Sequence, residues 1–247
     1  MTHTQTALVT GASRGIGAAT VRRLRADGHN VVAMARSQDA LAALAEETGC
    51  EPLVCDLTDD GALDDALDGL RVDILVNNAG LITSAKPFAE QTVEDIDRQL
   101  TLNLRATLVL TQKVLPQMIA RGSGHLVMVT SLIARHPFPN VTLYAATKGG
   151  MHAFAQTLRM ELAGTGVRLT EVAPGRVETD IYLESQGGDR DKLSGLFNDY
   201  EALQPDDVAA AIQASLNLPA RASAAFMELS PTDQAVGGAV FAKRRIG

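Results

Sequence analysis

The apolar positions of the chain fall into two kinds of segment that alternate from end to end. Short, nearly unbroken apolar runs occur at TALVT (6–10), NVVAMA (30–35), EPLVCD (51–56), DILVNN (73–78), HLVMVTS (125–131), VRLTEVAP (167–174) and AAFMELS (224–230). Runs of this length without polar alternation predict strands covered on both faces, as parallel strands are. Between them lie longer segments, 14–27, 38–48, 92–120, 142–163 and 205–217, patterned as helices. In 92–120 the apolar stripe is Val93, Ile96, Leu100, Leu104, Leu108, Leu115 and Met118, and Pro116 is expected to kink or tighten the last turn. Regular strand–helix alternation predicts an α/β fold, a doubly wound parallel sheet of about seven strands flanked by helices. No linker, repeat or low-complexity tract interrupts the rhythm, so a single domain over 1–247 is expected. The one departure is 180–204, a polar stretch with Gly187–Gly188 that also carries Tyr182, Leu196, Phe197 and Tyr200. A long irregular insert between a strand and a helix predicts a substrate lid.

The first strand runs into the first helix through TGASRGIG (10–17), with glycines at 11, 15 and 17. If a dinucleotide binds here, one glycine permits the tight turn, one lets the backbone approach a pyrophosphate, and one lets helix and strand pack closely. The helix N-terminus would then present free N–H groups to phosphate. The second strand of such a fold usually ends in an acid that grips the ribose 2′-hydroxyl. Here it ends Met34-Ala35-Arg36-Ser37. Arg36 and Arg14 suit a 2′-phosphate instead, through charge-assisted bonds. NADP(H) is therefore expected rather than NAD, against the blander view of two solvated arginines.

Composition narrows the partners. The 247 residues are 46% hydrophobic, a globular content. With 22 basic and 29 acidic residues the charge is −7, which argues against duplex nucleic acid and anionic membranes as partners. No apolar run approaches the ~20 residues of a membrane helix. MTHTQTALVTG has no basic n-region, so no signal peptide is expected and a cytoplasmic location is. Cys50 and Cys55 lie about 16 Å apart if the chain between them is extended, beyond disulfide reach. Both are expected to be buried thiols rather than metal ligands.

The sharpest candidate for chemistry is LYAATKGG (143–150). On a helix, Tyr144 and Lys148 share one face, about 5–6 Å apart at Cβ. A nearby ammonium would favour the phenolate and make tyrosine a usable acid–base.

These features together make the chain resemble the single-domain branch of the short-chain dehydrogenase/reductases, a family with a Rossmann-type fold. The resemblance rests on TGASRGIG (10–17), CDL (55–57), NNAG (77–80), the asparagine of LNLRA (102–106), Ser131, YAATK (144–148) and PGRVET (174–179). It implies that Tyr144 is the general acid in carbonyl reduction and the base in alcohol oxidation. It further implies that Lys148 lowers the tyrosine pKa and bonds the nicotinamide ribose. Ser131 would polarise the substrate oxygen, and Asn103 would hold a water that links Lys148 to solvent. For the cofactor it implies Gly11, Ser13, Arg14, Gly15, Ile16, Gly17, Arg36 and Ser37 around the phosphates. Asp56 and Leu57 would lie at the adenine, and Asn78, Ala79 and Gly80 beside its ribose. Pro174, Gly175, Val177 and Thr179 would bend toward the carboxamide. A small-molecule carbonyl or alcohol substrate and a homotetramer are implied as well. Taken one at a time, Asn103 could be a satisfied buried amide, Ser131 a cap, and Asp56 a turn former.

LQPDDV (203–208), LPA (218–220) and MELSPTDQ (227–234) resemble a subgroup containing 3-hydroxy acid and serine dehydrogenases and clavulanate-type reductases. Reduction of a 3-ketoacyl chain on a carrier protein is the competing activity, and a non-catalytic NADP sensor the competing class. Arg176 could pair with a substrate carboxylate or brace the lid through Asp180 or Glu184. His136 and His152 are expected to be structural or incidental, and Met151 and Met160 to pack in the core.

Overall fold

A computed structural model of the protein describes residues 4–234. Seven strands, β1 (Thr6–Thr10), β2 (Asn30–Ala35), β3 (Glu51–Val54), β4 (Ile74–Asn77), β5 (Gly124–Val129), β6 (Val167–Pro174) and β7 (Phe226–Leu229), form one sheet. Their order is β3-β2-β1-β4-β5-β6-β7 and every pairing is parallel. The helices are α1 (Gly15–Ala26), α2 (Gln38–Thr48), α3 (Asp60–Leu67), α4 (Val93–Gln99), α5 (Ala106–Arg121), α6 (Thr142–Glu161), α7 (Arg190–Gly195) and α8 (Pro205–Leu216).

The unbroken apolar runs have the expected cause. Successive residues of β1 point to opposite faces, and both faces are covered. Ala7 and Val9 pack with Val21 and Leu24 of α1, Leu41 of α2 and Ile212 of α8. Leu8 between them packs on the other side with Leu63 of α3, Leu110 and Val114 of α5, and Leu158 of α6. β3 is an edge strand, with Pro52 and Val54 exposed, and is shorter than the predicted 51–56. Cys50 and Cys55 are buried free thiols on opposite faces of the sheet. Among the described residues no helix is long and apolar enough to cross a membrane.

The single helix predicted over 92–120 is not continuous. α4 passes through a π-helical turn, Leu100–Arg105, before α5 begins. The wider turn changes the phase of the stripe. Val93 and Leu100 are exposed, and α5 buries Thr107, Leu110, Thr111, Val114 and Met118 in place of Leu108 and Leu115. α5 then runs through the exposed Pro116 to Arg121. Met151 is buried as expected, but Met160 is 71% exposed on the outer side of α6 and is no core residue. The insert 180–204 contains two short 3₁₀ turns and α7 rather than an unstructured loop.

Candidate active site

The strand order reverses between β1 and β4, and a cleft of about 560 Å³ opens there beyond the C-terminal strand ends. Its floor is the glycine turn. Gly11 has φ +63°, a conformation that L side chains resist. Gly17 lies so close beneath it that a Cβ would run into the Gly11 carbonyl and the Asn78 amide. α1 starts at Gly15 without a side-chain cap and without an acid in its first turn. Its first N–H groups and positive dipole end are thus available to an anion. Opposite, the Thr10 hydroxyl accepts from the Asn78 and Ala79 N–H groups at 3.0 and 3.1 Å, which ties the end of β4 to the end of β1.

The cleft gathers Gly11, Ser13, Arg14, Gly15, Ile16, Arg36, Ser37, Asp56, Leu57, Asn78, Ala79, Gly80 and Thr179, as the sequence suggested. Ala35, Ala40, Cys55, Leu102, Asp180 and Ile181 also line it and were not foreseen. Small and apolar wall residues carry no chemical signal of their own, and only the backbone path brings them together. Gly17, Pro174 and Val177 do not line the cleft. Gly17 serves helix–strand packing. Val177 is buried. Arg14 and Arg36 stand at the rim, their side chains 66% and 71% exposed. Their nearest carboxylates are Asp180 at 3.9 Å and Asp56 at 4.0 Å. Exposed pairs at such distances are weak, so both guanidiniums can turn to an anionic ligand. Asp56 behaves as a turn former on one oxygen, which accepts from the Thr58 N–H and hydroxyl at 2.9 and 2.8 Å.

Three elements deliver the four candidate catalytic groups. Ser131 follows β5 and accepts from the Ile133 N–H at 3.3 Å. α6 carries Tyr144 and Lys148 on one face, and Lys148 Nζ lies 5.7 Å from the Tyr144 ring centre. Nζ donates to the Val129 carbonyl at 2.9 Å. Tyr144 and Ser131 line the same pocket, with the Ser131 side chain acting to favour the phenolate. The π-helical turn brings in Asn103, which is fully buried. Its Oδ1 accepts from the Leu81 N–H at 2.8 Å, and its Nδ2 donates to the Leu81 carbonyl at 2.9 Å. Asn103 therefore pins the Gly80–Leu81 backbone, and a Cβ on Gly80 would sit 3.3 Å from Asn103 Oδ1 and 3.7 Å from Nζ.

Burial pushes the Lys148 ammonium down to about 8, with the Glu171 carboxylate opposing. Tyr144 departs from the sequence expectation. Its burial, with the neighbouring Tyr182, pushes the phenol above its ordinary value, and the Ser131 side chain opposes this only in part. The Tyr–Lys proximity is present, but desolvation outweighs it in the ligand-free protein.

A second pocket of about 260 Å³ opens beside the first, and both Ser131 and Tyr144 line it. Ile82, Leu132, Ile133, Phe138, Val141 and Leu196 supply apolar wall, and His136, Asn140, Arg176, Tyr182, Gln186 and Gln234 supply polar groups. His136, expected to be structural or incidental, lines this pocket and lies 3.9 Å from Glu228. Asn140, Phe138 and Gln234 were also missed. Asn140 in Pro-Asn had a turn signal, and its φ of +69° agrees, but its place beside Tyr144 had none. The insert contributes Tyr182, Ser185, Gln186 and Leu196 to the wall of this pocket. Arg98 of α4 holds Glu184 with two bonds of 2.6 and 3.2 Å. Asp180 lies 3.4 Å from Arg190. The Arg176 guanidinium stacks over the Tyr182 ring at 5.1 Å, and Tyr182 meets Phe197 edge-on.

The pattern of the short chain dehydrogenase family matches residues 5–188. Sulfoacetaldehyde reductase 2 of Chromohalobacter salexigens is 35% identical, with 92% of this chain and 94% of that protein covered. The NADP-dependent 3-hydroxy acid dehydrogenase YdfG of Escherichia coli K12 is 34% identical over 94% of this chain and 96% of its own. The closed form of serine dehydrogenase complexed with NADP+ superposes with a TM-score of 0.92 at 32% identity, covering 97% of this chain and 100% of that one. Sequence pattern, strand order and relatives agree: the chain belongs to the short-chain dehydrogenases, oxidoreductases that act on CH–OH groups.

Proposed function

We propose that the protein is an NADP(H)-dependent oxidoreductase that interconverts a small secondary alcohol or hydroxy acid and its carbonyl, with Tyr144 as the acid–base. The observation that carries this reading is the meeting of Ser131 and Tyr144 on the wall of the second pocket, with Lys148 Nζ 5.7 Å from the Tyr144 ring centre. The glycine turn, the uncapped start of α1 and the rim arginines fit a dinucleotide with a 2′-phosphate. Gly11, Ser13, Gly15 and Ile16 would face the pyrophosphate, Arg14, Arg36 and Ser37 the 2′-phosphate, and Asp56 and Leu57 the adenine. Asn78, Ala79 and Gly80 would border its ribose, and Lys148 and Thr179 would hold the nicotinamide end. Pro174, Gly175 and Val177 shape the backbone there. When bound, the cofactor supplies or accepts the hydride.

The chain's own part is proton management. Ser131 and Tyr144 hold the substrate oxygen as charge develops on it. Tyr144 gives up its proton in reduction and recovers it in oxidation. Lys148, charged beside the ring, favours the phenolate once the site is filled. Asn103 keeps the Gly80–Leu81 backbone and the Lys148 surroundings in place.

The named substrates of two relatives, sulfoacetaldehyde and 3-hydroxy acids, carry an anionic group near the reacting carbon. Arg176 on the pocket wall supports the same preference here, and the compact second pocket favours a small substrate over a carrier-bound chain. In this reading one cytoplasmic domain over 1–247 holds both sites, with 180–204 as the lid. Homotetramer assembly is supported by apolar side chains on the outer faces of α5 and α6, Ile119 at 43% and Met160 at 71% exposure.

The test is NADPH oxidation against ketones, keto acids, semialdehydes and 3-ketoacyl thioesters, with Tyr144→Phe alongside. The variant is expected to lose about 10²–10⁴-fold in turnover with its NADPH Kd unchanged. Full turnover by Tyr144→Phe would refute the assigned role.

A further inference from the structure

Outside the Ser131–Tyr144–Lys148–Asn103 group, one buried cluster of titratable side chains stands out. Glu171 on β6 is 1% exposed. Thr130, next in sequence to both Ser131 and Val129, donates its hydroxyl to Glu171 Oε1 at 2.7 Å. His152 Nδ1 lies 3.0 and 2.9 Å from the two Glu171 oxygens. His152 is one turn beyond Lys148 on α6, and its Nε2 lies 2.7 Å from Gln156 Nε2. Gln156 donating there leaves the imidazole proton on Nδ1, directed at the carboxylate. Arg159, farther along α6, also acts on Glu171 as a cation. On β7, Phe226 lies edge-on to the His152 ring, and Glu228 is turned to Arg135 and His136.

A carboxylate in a core costs free energy that only charge pairing and hydrogen bonds offset. Lys148 is almost as buried, at 3% exposure, and its one strong bond goes to the carbonyl of Val129. A neutral carbonyl cannot hold the charge of a desolvated ammonium by itself. We propose that Glu171 is a positioning residue for the reaction: held by Thr130 and His152 behind the α6 face, its carboxylate keeps Lys148 protonated while Tyr144 works. The direction of the Glu171 effect on Lys148 agrees, since the carboxylate opposes the downward push of burial. Relevance to turnover rests on the dehydrogenase reading above, but the effect on Lys148 does not.

The chain has five lysines, so lysine labelled with ¹³C at Cε gives few signals, and Lys148→Arg assigns the one of interest. The titration midpoint of Lys148 is read in the parent, Glu171→Gln and His152→Arg proteins without cofactor. Glu171→Gln removes the charge. His152→Arg cancels it from the half-open side of the cluster, and gives the same reading if the first variant does not fold. Both are expected to lower the midpoint by about one pH unit, the usual effect of one close opposite charge. The high-pH limb of carbonyl reduction should move down by the same amount. His152→Gln, a neutral donor, should keep the parent midpoint. Midpoints that coincide with the parent in every recovered variant would overturn the proposal. Absence of reductase activity in the parent would instead overturn the functional reading, with the Lys148 titration still readable.

Discussion

Replacing Gly17 with alanine adds one methyl group where α1 crosses the end of β1. The new Cβ would collide with the Gly11 carbonyl and come 2.7 Å from Asn78 Nδ2 and 2.8 Å from the Gly11 carbonyl carbon. Two of the three obstacles are backbone and cannot rotate away. Alanine gains up to ~1 kcal/mol over glycine in a helix, whereas overpacking costs typically ~1–3 kcal/mol and stands near the top of that range against backbone. The net expectation is a loss of roughly 1–2 kcal/mol. In a protein of this size that lowers Tm by roughly 2–8 °C. To relieve the clash, the start of α1 must move away from the cleft it serves. NADPH affinity should therefore fall about tenfold, the equivalent of ~1.4 kcal/mol. Gly61→Ala is the matched control. It lies in the first turn of α3, where a Cβ meets only Asp59 Oδ1 at 3.5 Å, an ordinary contact. That variant should be neutral or gain up to ~1 kcal/mol. Calorimetry gives both Tm values and NADPH fluorescence titration gives both Kd values. A Gly17→Ala protein that melts at or above the parent and binds NADPH equally well would refute the close-packing argument.

Arg36→Asp restores an acid at the end of β2 and should shift preference from NADPH toward NADH, read as the ratio of kcat/KM values. An unchanged ratio would remove Arg36 from the 2′-phosphate site. Lys148→Met should abolish turnover yet raise Tm at pH 7. The folded-state pKa of about 8 lies below the ordinary 10.5, so the folded protein binds fewer protons between these values. The burial penalty, on the order of 3 kcal/mol, is thus full below pH 8 and fades as pH rises to 10.5. The Tm advantage of the variant should shrink across that window. A variant that melts lower than the parent at pH 7 would mean that attraction to Glu171 outweighs burial.

Local rules carried most of the fold. The central strands announced themselves because both of their faces are covered, so no polar residue interrupts Leu8–Val9 or Leu75–Val76. The glycine turn was legible because its backbone conformations and close contacts exclude side chains, a constraint written in residue type. Tyr144 and Lys148 needed only helical spacing to be paired. The long helix over 92–120 misled because periodicity assumes 3.6 residues per turn, and a π-helical turn breaks that phase without a compositional mark. Burial of Asn103 depends on that turn. Met160 was misread because side-chain chemistry says nothing about which helix face meets the sheet.

The sequence by itself determined the strand–helix alternation, the glycine turn and the Tyr144–Lys148 pairing, since all three follow from short-range spacing along one chain. Tertiary structure alone decided the rest. It set the phenol of Tyr144 by burial, placed His136 and Asn140 on the wall of the second pocket, and clasped Glu184 to Arg98 across 86 positions of chain. It also joined Glu171 of β6 to Thr130 and to His152, one turn beyond Lys148 on α6. Desolvation and charge pairing act through space, so residues distant in sequence decide them and no local pattern records their distance.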